Sequence, residues 1–194
     1  MAAAQQGGQP AGKPYPALEI LDAFSLACTD IGDIAKAGAR VRAAGWEPIA
    51  ADDKSQIAKI VDHYRQKVDA VGDFKPLEGS EYRKTVAGRE LSLTLSGVEI
   101  PHLARTNFCR VYDFGAVAPV PLKMLARWAG REPDESEIQK DGFTKHVWET
   151  GLRPGTERMT GGMIFSFISP AVREQRDMLF SGLVFQAQES EVLE

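Results

Sequence analysis

Leu91-Ser-Leu-Thr-Leu-Ser96 alternates one apolar residue with one small polar residue. A period of two describes a strand with one buried and one wet face, because successive side chains leave a pleated backbone on opposite sides. Gly88 just before it suggests a tight turn from a preceding strand near Tyr82 to Val86, so this stretch reads as half of a hairpin. Arg105 to Phe114, rich in aromatic and β-branched residues, reads as the next strand.

On the N-terminal side of Gly72 the period is 3.6 instead. Ala17, Ile20, Leu21, Phe24, Ala27 and Cys28 recur at helical spacing, with Pro14 and Pro16 just before the first turn. A second helix is predicted from Asp33 to Ala44 through Ile34, Ala37 and Val41, ended by Gly45, with Trp46 packing back on it. Residues 52 to 70 repeat the pattern through Ile57, Ile60, Val61, Tyr64 and Val68, with Asp52, Asp53 or Ser55 available as the cap. The first third reads as a helical layer.

Further along, Pro121 opens a short helix through Leu122, Leu125, Ala126 and Ala129 that Gly130 and Pro133 end. Three more strands are predicted at Phe143 to Glu149, Met159 to Ile168 and Met178 to Ala187, the first two joined by the turn chemistry of Gly151-Leu-Arg-Pro-Gly155. Met163 to Ile168 and Leu179 to Phe185 are apolar on both faces, which marks central strands covered on each side. Helices followed by mainly antiparallel strands predict an α+β fold, with N-terminal helices packed on one mainly antiparallel sheet of about five or six strands. Residues 17 to 190 form a single expected domain, consistent with 194 residues of which 43% are hydrophobic.

The first 16 residues, rich in Ala, Gln, Gly and Pro, cannot bury enough surface to fold and read as a disordered tail. Small alanines followed by a polar spacer also resemble what remains after a leader is removed, so a periplasmic or secreted location is expected; an ordinary tail on a cytoplasmic protein is the alternative. With 23 basic against 27 acidic residues, the formal charge of −4 gives no overall field to attract nucleic acid. No stretch approaches the roughly 18 apolar residues of a membrane span.

Cys28 and Cys109 are the only cysteines, and each falls on an inward face. In an oxidising compartment they should form a disulfide tying helix to sheet; two buried free thiols are the alternative. A catalytic Cys109 would need a base and an orienting group, for which His102, His146 and Asp113 are the candidates, and Arg110 could lower its thiol pKa. Thr106-Asn-Phe-Cys-Arg-Val111 matches no nucleophile signature, however, and lies within a strand pattern. His63, His102 and His146 are spaced for no shared metal, and the glycines at 151, 155, 161 and 162 form no phosphate loop, so neither metal nor cofactor is expected. The basic residues Arg105, Arg110, Lys123, Arg127 and Arg131 are followed at once by Glu132, Asp134, Glu135 and Glu137, which compensate them.

Tyr112, Phe114, Trp128, Phe143 and Trp148 come from neighbouring elements and form the candidate interface or pocket, since exposed aromatics are enriched where proteins bind. The expected function is binding of a protein or a small apolar ligand between helices and sheet. The alternative is a small enzyme that uses Cys109, or an acid/base pair such as Glu149 and His146, in a cleft on the sheet face.

Overall fold

The helical stripe at the start of the chain does lie against a sheet. The computed structural model describes residues 14–50, 53–149 and 159–193. Helix α1 (Ala17–Cys28) buries Ile20, Leu21, Phe24, Ala27 and Cys28 and leaves Leu18 and Leu26 outside. Helix α2 (Ile34–Ala43) starts at Asp33, whose carboxylate accepts the Lys36 amide, and buries Ala37, Gly38 and Val41. Trp46 folds back beneath them and is buried. Helix α3 (Gln56–Val71) starts at Ser55, whose hydroxyl accepts the Ala58 amide.

The strands are β1 (Glu47–Pro48), β2 (Lys75–Val86), β3 (Arg89–Ile100), β4 (Ala104–Asp113), β5 (Glu135–Ile138), β6 (Phe143–Trp148), β7 (Met159–Ile168) and β8 (Gly182–Val192). Helix α4 (Leu122–Ala129) precedes β5, and the short α5 (Pro170–Gln175) links β7 to β8. Among the described residues, the eight strands form one antiparallel sheet in the order β1-β2-β3-β4-β8-β7-β6-β5. The expectation of five or six strands is therefore corrected to eight. The additions are the edge strands: β1 has two residues, and all four residues of β5 are exposed, so neither carries an apolar alternation. β7 and β8 are interior, and β8 begins only at Gly182, where an added Cβ would sit 2.2 Å from the Asp113 carbonyl oxygen. The turn expected at 151–155 lies outside the described residues, as do residues 1–13 of the expected tail.

A second correction concerns the helices. They do not form one layer. The odd-numbered residues Leu91, Leu93, Leu95, Cys109, Val111 and Phe185 face α1, α2 and α4. On the opposite side, Tyr112 and Ile168 pack with Ile57 and Ile60 of α3 and Val172 of α5. α3 was expected beside α1 and α2 because its stripe has the same period, but periodicity says which side of a helix is buried and nothing about which face of the sheet receives it. Apolar residues on both sides of β7 and β8 are explained by this double cover.

The main core centres on Phe165, whose ring lies 5.2 Å from Trp148, 5.3 Å from Phe185 and 5.5 Å from Phe24. Cys28 at the end of α1 and Cys109 in the middle of β4 are joined by a disulfide, with their Cα atoms 5.4 Å apart. Asp113, at the end of β4, is almost wholly buried and accepts two hydrogen bonds from Arg89, at 2.9 and 2.7 Å, and one from the Tyr15 hydroxyl at 3.0 Å. This cluster fastens the segment entering α1 to the hairpin. Burial and the neighbouring carboxylate push the Tyr15 phenol far above its usual range, so it stays a donor.

Candidate ligand-binding site

Amphipathic α3 is seated at one end only. Ile57 and Ile60 are buried against the sheet, but Tyr64, one turn further on, is 54% exposed although it continues the same apolar stripe. Between the distal half of α3 and the sheet lies a cavity of about 400 Å³. Its helical wall is Ile60, Val61, Tyr64 and Val68; Phe74, itself partly exposed, is part of the lining where the chain leaves the helix. Its sheet wall is drawn from Pro76, Leu77, Val98, Phe108, Tyr112 and their neighbours on β2, β3 and β4. A volume in this range, walled mainly by apolar groups, is typical of sites for small organic molecules.

The sheet wall owes its composition to an irregularity in β2. Leu77 is paired with Gly97 but Ser80 with Leu95, so the two residues between them stand opposite Ser96 alone. Beyond this bulge the sides are exchanged. Tyr82 turns to the α2 face, where it is buried and its hydroxyl accepts a hydrogen bond from Arg42 at 3.4 Å. Glu81 turns to the cavity and is half-buried there. Desolvation raises its pKa, against the pull of Arg65 from α3. Gly79 permits the bulge to lie close on β3, since a Cβ there would come within 2.6 Å of the Leu95 carbonyl oxygen.

Three polar groups converge on the sheet side. Arg110 is half-buried, its Nε donating to Gln186 Oε1 at 2.7 Å and an Nη to Ser96 Oγ at 3.1 Å. Its guanidinium lies over the Phe108 ring, 4.4 Å from the centroid. Tyr112 is buried next to it, stacked on Phe114, and its phenol pKa is raised by burial. The Thr94 side chain beside that phenol acts in the opposite direction.

The candidate aromatic patch is divided by the sheet. Trp148 is fully buried in the main core, its indole donating to the Arg131 carbonyl, and Trp128 packs on the same side against Phe24 and Phe165. Tyr112 and Phe143 lie on the α3 side, with Phe143 beneath the Arg176 guanidinium and half-buried. Of these residues, only Tyr112 lines the cavity. Val61, Tyr64, Val98, Phe108 and Arg110 are the cavity residues that sequence reasoning did not single out as a group.

The catalytic candidates are separated as well. Cys109 is fully buried and bonded to Cys28, so the oxidised protein has no thiolate there. His146 is buried on the main-core side, 2.9 Å from Ser136 Oγ through Nδ1, whereas Glu149 is exposed past the end of β6. Desolvation lowers the His146 pKa. No hydrogen bond joins His146 and Glu149 among the described residues. No helix is long and apolar enough to cross a membrane among the described residues. No family model matches the chain, and neither a curated protein nor a solved structure is similar to it at a significant level.

Proposed function

We propose that this protein binds a small, mainly apolar molecule between the distal half of α3 and strands β2 to β4, and that it works by binding rather than catalysis. The observation that carries the reading is the cavity of about 400 Å³ beneath a helix whose apolar stripe continues past the point where it touches the sheet. An amphipathic helix gains stability by closing on apolar surface, so a stripe held off the sheet leaves that gain to be supplied by a guest. The disulfide between Cys28 and Cys109 supports a place in an oxidising compartment, periplasmic or extracellular.

The test uses Nile red, a neutral dye whose emission rises and shifts to the blue in apolar surroundings. Wild-type protein should bind it saturably, and Val98→Trp, which fills the sheet wall, should abolish binding while leaving the unfolding transition cooperative. Equal binding by the folded variant and the wild type, or none by the wild type, refutes the reading.

A further inference from the structure

Within the apolar cavity, Arg110 stands out by what it lacks. The half-buried Arg89 and the partly exposed Arg105 are each paired with a carboxylate, Asp113 and Glu99 respectively. Arg110 has only neutral partners among the described residues: an amide oxygen, a hydroxyl and an aromatic face. Glu81 is the acidic group in the cavity wall; it stands on β2 in the row Glu81–Thr94–Arg110, with Thr94 of β3 between it and Arg110, and no ion pair joins the two among the described residues. Arg65 and Lys67 of α3 add further positive charge to the lining.

The guanidinium is also oriented. Phe108 holds one side of the group, while Gln186 takes the Nε edge and Ser96 takes one hydrogen of an Nη. That leaves the end-on edge, formed by the two Nη groups, with donors to spare. Two parallel N–H groups on a planar cation match the two oxygens of a carboxylate. We propose that Arg110 binds the carboxylate head of an amphipathic ligand, a carboxylic acid with an apolar tail or ring body that fills the space beneath α3. This rests on the cavity reading above and names the chemical class that the cavity takes.

A neutral isostere of the same chain separates the two ideas. Decanoate, decanol and decylamine, each below its micellisation concentration, are titrated against Nile red bound to the full chain. Decanoate should displace the dye at least about tenfold more tightly than decanol, the ratio expected of a charge-assisted hydrogen-bonded pair. Arg110→Gln should bring that ratio close to one, and Arg110→Lys, which keeps the charge but not the fork, should lower it below that of the wild type. Equal affinity for decanoate and decanol in the wild type overturns the carboxylate assignment and leaves the apolar site standing. Tightest binding of decylamine overturns it also, and so does a folded Arg110→Gln variant that keeps the wild-type ratio. Failure of all three compounds to displace the dye overturns the site itself.

Discussion

Removing the bond between Cys28 and Cys109 is the most direct perturbation of this fold, because both sulfurs are buried and the bond joins the last residue of α1 to the centre of the sheet. It closes a loop with a sequence separation of 81. In the chain-entropy account, a loop of that length removes about 15 cal/mol/K from the unfolded ensemble, or about 4.5 kcal/mol near room temperature. Alanine at both positions preserves most of the packing, so the double variant Cys28→Ala/Cys109→Ala should lose about 2 to 4.5 kcal/mol. Urea unfolding of wild type, reduced wild type and the double variant measures this. The dependence on urea should also steepen without the bond, since an uncross-linked chain exposes more surface when it unfolds. A loss below about 1 kcal/mol, which is small against that entropic figure, refutes the reasoning. So does the appearance of two titratable thiols when the unreduced protein is denatured, which would also remove the support for an oxidising compartment.

Phe165→Ala should cost about 3 to 5 kcal/mol, because the ring is nearly inaccessible and contacts aromatic rings from α1, β6 and β8; a loss under about 1 kcal/mol in chemical denaturation would contradict its place in the core. His146 titrates below its ordinary value in the folded protein, so the unfolded chain takes up its proton first as the pH falls. Stability should therefore be fully present above about pH 6.5 and decline as the pH drops towards the lower folded-state value, with a limiting slope of about 1.4 kcal/mol per pH unit. His146→Gln should flatten the decline over that range, and an unchanged pH profile in the variant would refute the attribution.

Much of the secondary structure was legible because it rests on local rules. The stripes of α1, α2 and α3, the Leu91-Leu93-Leu95 alternation and the turn at Gly88 are each readable within a few residues. The α+β class follows from their order. β5 was not legible, because its Glu-Ser-Glu-Ile sequence is wholly exposed and becomes a strand only by pairing with β6. α5 was missed for a similar reason: one buried residue, Val172, gives no periodicity. The division of the aromatic patch depends on register, which alternation along a single strand does not determine. The cavity was hidden more deeply. Tyr64 and Val68 have the spacing of core residues, and only the three-dimensional path of α3 leaves them over open space.

The extra residue in β2 is a tolerance rather than a constraint. On either side of it the ladder with β3 keeps one phase, since Leu77 stands opposite Gly97 and Ser80 opposite Leu95, and Tyr82 beneath α2 and Glu81 beside the cavity take their sides from their partners Leu93 and Thr94. Deleting Glu78 would leave one residue opposite Ser96, remove the bulge and keep every other partner on its own face. Deleting a residue between Tyr82 and Val86 instead would let the flanks pair again only by turning Glu81 and Tyr82 over. Where β2 changes length therefore matters more than whether it does.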